Sequence, residues 1–370
     1  MTCDLFATMC ERVPELRIGL DAWTRRMMRW HFSPATGSPF WLSRRSGLGF
    51  DPLTDVDGFA ALTLFGLFDK AELRAARARE LLPRGYRGRP FRVFETGGTT
   101  GPPCRIVNVS RLAYDVVVYR AMLEARGVAG GDVLAMTPAG PHAYGHFVEG
   151  LADSWRGAVF AVDFDPRWVK AEIRAHGEAD AYTDHLVAQT EALLTAERPA
   201  LLFTTARLLL ALAMRLPKPI DAYGLRAVCT GGTSCTAAEA RYLREEQLRD
   251  VQWIDTYGNT LAGHALQADG PEPGSHSYHL PPPFAVLTVV DPDDPWREVA
   301  VGERGRVRVT TLLEDLFLPN LLERDSAVRT GPHPWFPWDG VAAVRPWTPG
   351  ADGDDGDDGD GSGGAVEGVY

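Results

Sequence analysis

The sequence predicts an α/β protein built on layered sheets faced by helices, with a β-rich part after them. Two changes of texture carry that expectation. Between residues 133 and 255, short apolar runs alternate with longer amphipathic ones, as strands do with covering helices. From residue 284 the runs become short and β-like, with turn residues between them. A third observation marks where the chain is organised: the stretch Phe94-Glu95-Thr96-Gly97-Gly98-Thr99-Thr100-Gly101-Pro102-Pro103, which holds three glycines and three threonines in six residues.

In chain order, residues 1–90 read as mostly helical with turns. Residues 16–28 mix arginines with apolar residues, and 69–82 are rich in Ala, Arg, Leu and Glu. Gly49-Phe50-Asp51-Pro52 and Asp55-Val56-Asp57 mark loops. Ser110 is placed to cap a helix whose residues Leu112, Val116, Tyr119 and Leu123 keep helical spacing and which Gly127 closes. Strands are expected at 133–137 and 158–162, with a Gly/Pro/His loop and a short helix between them. Helices at 182–197 and 206–215 flank a strand at 200–203, and strands at 225–229 and 251–255 flank a helix at 237–248. Later strands are expected at 284–290, 297–301 and 305–311, with turns at 291–294 and 302–304. The division expected is a core over 1–345, its β-rich part at about 284–330, and a disordered acidic Gly/Asp tail over 346–370.

The chain of 370 residues, 45% of them hydrophobic, can bury one large core or two moderate ones. No apolar run approaches the roughly 18 residues of a membrane span, and the charged start is no signal peptide. Five cysteines without a CxxC pair fit a reducing cytoplasm, so a cytoplasmic location is expected. The net charge of −11 is concentrated in residues 351–370, whose seven acids leave the rest at −4. With no basic cluster, nucleic acid is not an expected partner. The five cysteines show no metal-site spacing, so no protein-held metal is expected.

A loop of glycines and threonines can turn N–H groups and hydroxyls toward a polyphosphate, although a plain surface turn has the same composition. No Lys-Ser or Lys-Thr follows its last glycine, and the spacing is not GxGxxG. Four later segments bear on the choice. Cys229-Thr230-Gly231-Gly232-Thr233-Ser234 follows a strand and opens a helix; Asp255-Thr256-Tyr257-Gly258-Asn259-Thr260 ends the next strand. Gly302-Glu303-Arg304-Gly305-Arg306-Val307 precedes a strand, and Pro319-Asn320-Leu321-Leu322-Glu323-Arg324-Asp325 follows it.

This ordered set resembles the adenylate-forming superfamily over roughly residues 49–330. The resemblance implies the large N-terminal adenylating core of that superfamily, with layered αβαβα sheets and a β-rich subdomain. It also implies ATP and Mg²⁺ as reactants. Thr96, Thr99 and Thr100 with Gly97, Gly98 and Gly101 would hold the β/γ-phosphates, and Thr260 the α-phosphate. Gly231, Gly232 and Thr233 would let backbone approach adenine, Tyr257 would stack on it, and Asp255, Gly258 and Asn259 complete that segment. Asp325 would accept from two ribose hydroxyls. Tyr257 as a core aromatic and Asp325 as a solvated charge beside Arg324 remain the plain alternatives.

Within the superfamily the chain looks closest to phenylacetate–CoA-ligase-like proteins. That likeness implies an aromatic acid as substrate and a pocket at Pro141-His142-Ala143-Tyr144-Gly145-His146, with His142, Tyr144, Gly145 and His146 as lining residues. Loop histidines capping a helix start are the other reading of that segment. Two departures stand out. Leu261 occupies the place of a magnesium-associated glutamate, and the lysine that often ends the loop is Cys104. The C-terminal lid domain of about 100 residues is expected to be absent, since only residues 329–349 and the acidic tail follow Asp325. This is similar to the lid-lacking adenylating proteins of phenazine antibiotic pathways. The expected function is ATP-dependent activation of an aryl carboxylate to an acyl-adenylate, passed to an acceptor enzyme such as a reductase. An acyl-CoA or carrier-protein ligase that needs a separate domain, and a non-catalytic nucleotide- or acyl-binding protein, are the alternatives. The oligomeric state is open, a homodimer among the options.

Overall fold

The computed structural model describes residues 4–97, 102–271 and 274–348. The described residues divide into two compact units, one formed by 122–258 and the other by those up to 121 together with 259–348. Of the acidic tail expected over 346–370, the residues from 349 onward lie outside the described residues.

The second-built half of the first texture is a parallel sheet. Its strands are β3 (Val133–Ala135), β4 (Val159–Ala161), β5 (Leu201–Thr204), β6 (Ala227–Gly231) and β7 (Gln252–Asn259). They lie in the order β4-β3-β5-β6-β7, every pair parallel. All residues of β3, β5 and β6 are buried, as befits strands covered on both faces, and this is why they read as unbroken apolar runs. Helices Asp180–Ala196 and Ala206–Arg215 supply Leu186, Leu194, Leu209 and Leu212 to a core shared with Leu134, Leu202 and Val228. The helix expected at 237–248 is regular only over Ala237–Tyr242, then widens to a π turn at Leu243–Gln247.

The other unit is largely antiparallel. Strands β1 (Arg92–Glu95) and β2 (Arg105–Asn108) pair antiparallel on either side of the glycine and threonine segment in the chain. The larger sheet contains β8 (Gly263–Asp269), β9 (His276–His279), β10 (Ala285–Val290), β11 (Arg304–Leu312), β12 (Phe317–Thr330) and β13 (Gly340–Pro346). Its pairings run β10-β11-β12-β13-β9-β8. The strand expected at 297–301 is not formed, and Glu298 makes only an isolated bridge to Val290. The reason is local. Asp291 folds the chain back by accepting from Asp293 and Asp294 N–H, and the Arg329 side chain takes the carbonyl of Val299.

Helix Leu20–Phe32 buries Trp23, Thr24, Met27, Met28, His31 and Phe32, one stripe at helical spacing. It docks on the turn between β11 and β12 through polar atoms of its aromatic residues. Trp23 Nε1 donates to Leu312 O and Trp30 Nε1 to Glu314 O, each at 2.7 Å, and His31 Nε2 lies 2.7 Å from Leu313 O. The Trp41 and Phe317 rings meet at 4.9 Å beside them. Among the described residues no helix is long and apolar enough to cross a membrane.

Candidate active site

In the unit from Met122 to Gly258, the carboxyl ends of parallel strands form the edge at which open α/β sheets bind ligands. There Thr230 on β6 faces Asp255 on β7, and Gly231 faces Thr256. The Thr230 hydroxyl donates to Asp255 Oδ1 at 2.5 Å and accepts from the Trp253 indole N–H at 2.9 Å. Thr230 is wholly buried, so the Asp255 carboxylate is aimed by a partner that cannot move. Tyr257, two residues on, is half-buried. Beyond Gly231 the chain turns at Gly232 with φ of 82°, a left-handed conformation that suits glycine. Thr236 then caps the following helix. The Thr233 hydroxyl accepts from Arg207 N–H at 3.1 Å, at the start of helix Ala206–Arg215.

The segment expected to line an acid pocket opens helix Ala143–Trp155, with buried His142 at its N-cap position. Tyr144 donates to Thr204 O at 3.0 Å. Its hydroxyl would lie 3.7 Å from a Cβ placed on Gly231, so the structure brings Tyr144 and the glycine segment together. Burial pushes the Tyr144 pKa well above its ordinary value, with Cys229 and Asp255 adding to the shift, so it is a neutral donor. Gly145 and His146 have local tasks. A Cβ on Gly145 would meet Pro138 O at 2.6 Å, which fixes a glycine where the helix crosses that loop. The His146 ring sits 3.0 Å from both Glu149 Oε2 and Gly140 O, a cap on its own helix start.

In the other unit, Thr96 closes the neck of the β1–β2 hairpin. Its N–H donates to Cys104 O at 3.0 Å, and its hydroxyl accepts from Cys104 N–H at 2.9 Å. Gly97 follows it, while Gly98, Thr99, Thr100 and Gly101 lie outside the described residues. Asn259 caps the tight turn after β7, its Oδ1 accepting from Leu261 N–H at 2.8 Å and Ala262 N–H at 2.9 Å. Thr260 sits in that turn, half-buried. Asp325 lies on β12 where the pairing slips. Arg306 faces Ser326 while Arg308 faces Leu322, so the residues between bulge outward, a device that re-aims side chains. Gly258, the last residue of the unit with the parallel sheet, is half-buried near the end of β7.

The Leu261 side chain is 2% exposed, and its carbonyl accepts from Arg111 Nη1 and Thr311 Oγ1, each at 2.8 Å. That carbonyl anchors the turn. Two residues escaped the sequence reading: Glu323, buried on β12, and Lys70, whose Nζ lies 2.6 Å from Glu323 Oε2. Among the described residues, no group of three His, Cys, Asp or Glu side chains is placed to hold a metal ion.

The mixed α/β fold is the one expected from the sequence, and it is shared with solved structures of low sequence identity. It is similar to 2-hydroxyisobutyryl-CoA ligase in two solved states. Against the open conformation in complex with 2-HIB-AMP and CoA, the TM-score is 0.63 at 14% identity, covering 86% of this chain and 72% of that one. Against the postadenylation state in complex with R3-HIB-AMP, the TM-score is 0.64 at 15% identity, covering 90% of this chain and 67% of that one. No protein-family model and no curated protein matches the chain.

Proposed function

We propose that the chain activates a carboxylic acid with ATP, forming an acyl-adenylate and pyrophosphate. A carboxylate oxygen attacks the α-phosphorus, the bond from that phosphorus to the bridging oxygen breaks, and pyrophosphate leaves with the electron pair. No proton moves, because the attacking carboxylate is already ionised at neutral pH. Catalysis therefore rests on positioning and on neutralising charge.

One observation carries the reading. A side-chain-free Gly231 ends β6 beside the fixed Asp255 and the Tyr144 hydroxyl, at the carboxyl edge of a parallel sheet. In that unit Gly231, Gly232 and Tyr257 are assigned to adenine, and Tyr144 with His142 to the acid. In the other unit, Thr96 and its loop are assigned to the β/γ-phosphates, Thr260 to the α-phosphate and Asp325 to the ribose. The acid is taken to be aromatic because the 141–146 segment, which supplies Tyr144, is where the phenylacetate–CoA-ligase-like proteins build their acyl pocket. A phenazine-type antibiotic pathway, with a reductase or carrier protein as acceptor, is the setting proposed with it. The leucine at 261, where the resemblance would put a carboxylate, leaves Mg²⁺ to the phosphates of ATP and to water. The ion would enter on the nucleotide, and no step is routed through it.

The test is acid-dependent exchange of labelled pyrophosphate into ATP over a panel of aryl and aliphatic acids. Exchange with an aryl acid is the expected result; ATP binding without exchange for any acid would overturn the reading. A second reading, thioester formation, is favoured by the similar ligase having been captured with CoA. Adding CoA to the same assay distinguishes it.

A further inference from the structure

We infer that Glu323 is a positioning residue for adenylyl transfer, holding through Asn259 the turn that presents the Thr260 hydroxyl. The inference rests on the adenylation reading, in which Thr260 meets the α-phosphate.

The turn is held by its backbone from several sides. Asn259 Oδ1 binds the N–H groups of Leu261 and Ala262, and Thr311 Oγ1 donates to the Leu261 carbonyl. Arg111, 6% exposed, donates through Nη1 to the carbonyls of Thr260 at 3.2 Å and Leu261 at 2.8 Å. All these bonds use main-chain atoms of the turn. Among the described residues none is made by the Thr260 hydroxyl, so a clamped backbone presents one uncommitted side-chain oxygen.

The clamp depends on the orientation of one amide. With its carbonyl oxygen occupied by two N–H groups, Asn259 needs an acceptor for its NH₂. Glu323 Oε1 provides it at 3.1 Å. Glu323 is 4% exposed, and its other oxygen takes the Lys70 ammonium at 2.6 Å. The remaining cation nearby, Arg306, donates to the Glu323 carbonyl and not to the carboxylate. Lys70 also reaches the hairpin neck, since its carbonyl lies 3.8 Å from Cys104 Sγ and Cys104 closes the neck with Thr96. A single network thus joins the neck of the glycine loop to the Thr260 turn.

Stability alone is a poor reason for this arrangement. A buried ion pair contributes little net stability compared with an apolar pair of the same volume. A carboxylate here does what an apolar side chain cannot, orienting an amide donor while bonding an ammonium.

The test compares wild type with Glu323→Gln, Lys70→Arg, Lys70→Met/Glu323→Gln and Asn259→Asp in the pyrophosphate exchange assay. Folded fraction and ATP Kd are measured on the same samples. Glu323→Gln keeps an acceptor for Asn259 but turns an NH₂ toward Lys70. It is expected to lose roughly 10- to 100-fold in kcat while KM for ATP stays within about threefold. Lys70→Arg should stay within about threefold of wild type. The double variant, with no opposed donors, should recover part of the lost kcat. Asn259→Asp retains the acceptor for the turn and removes the donor, so it should reproduce the kcat loss and decides the matter should Glu323→Gln not fold. Losses that merely follow the folded fraction, or a raised KM with kcat intact, would overturn the inference. Unchanged kcat in the variants beside an active wild type sinks this inference alone. A wild type that shows no exchange with any acid removes the adenylation reading and this inference together.

Discussion

Replacing Gly231 with alanine is expected to stabilise the chain and to impair it. The backbone at this position lies outside the left-handed region, and an added Cβ would sit 3.4 Å from Thr256 O and 3.7 Å from the Tyr144 hydroxyl. Those are ordinary contacts, so the folded state accepts the methyl group without displacement. Alanine narrows the conformations of the unfolded chain, which stabilises by about 0.4–1 kcal/mol at a compatible site. In a chain of this length that is on the order of 1 °C in Tm. A ligand lying against bare backbone would be displaced by the same methyl group. Losing one neutral hydrogen bond costs about 0.5–1.5 kcal/mol, up to about tenfold in affinity, and a misplacement of about 1 Å at the reacting centre can cost about 100-fold in rate. Gly231→Ala should therefore raise the apparent KM for ATP about tenfold at an equal or higher Tm, and Gly231→Val should lose more activity. Calorimetry with ATP and the exchange assay read the two effects on one sample. Unchanged ATP affinity in both variants would refute the placement of the nucleotide, and a Tm lowered by several degrees in Gly231→Ala would refute the packing argument.

Leu261→Glu should destabilise by roughly 3–5 kcal/mol, read as a lower urea midpoint, because it puts a carboxylate where a side chain only 2% exposed packs. Retention of wild-type stability would mean the side chain reaches water. The buried His31 and His279 predict acid sensitivity. Burial pushes each pKa from 6.5 down to about 4, against hydrogen bonds to Leu313 and Trp338 that raise it. The folded state holds the rings neutral while the unfolded chain binds protons near 6.5, so this stability is full above that pH and is lost as pH falls toward about 4. The wild-type urea midpoint should fall between pH 7 and pH 5, and His31→Gln should flatten part of that slope. Asp315→Ala should cost about 1–2 kcal/mol. The carboxylate accepts from Val109 and Ser110 N–H at 2.7 and 2.8 Å, at the start of helix Arg111–Ala125. Amide exchange at those residues should quicken.

The parallel sheet was legible because burial on both faces writes itself into the sequence as unbroken apolar runs, as at Leu201, Leu202 and Phe203. Helix Ala206–Arg215 was legible to the residue because Thr205 caps it through Leu208 N–H and its apolar stripe is clean. The antiparallel strands were harder. β9 is His-Ser-Tyr-His, with no apolar face, and its partner Val341 is 63 residues away in the chain from Tyr278. β12 carries Pro319, Glu323, Arg324 and Asp325, which suggest a loop until the bulge that accommodates them is seen. β1 and β2 are four residues each, too short for periodicity to register. In the candidate site, Gly231, Tyr257 and Asn259 stand in ordered motifs and could be proposed from the sequence. Lys70 and Glu323 were invisible because they are 253 residues apart, and each alone reads as a solvated charge.

Some polar groups singled out by composition have structural employment. Thr233 takes the first turn of another helix, and His146 caps its own. A side chain already satisfied within the protein gains little by exchanging that partner for a ligand, since the exchange leaves a donor or acceptor to be satisfied elsewhere. Groups held in place by others, yet not consumed, are better suited to bind. Thr260 meets that condition through its clamped turn. Gly231 meets it by having no side chain, beside a Thr230 that is itself saturated. A reaction that moves no proton needs no tuned base, so selection for it acts on position. A buried, fully bonded network behind an uncommitted hydroxyl is the form that pressure would take.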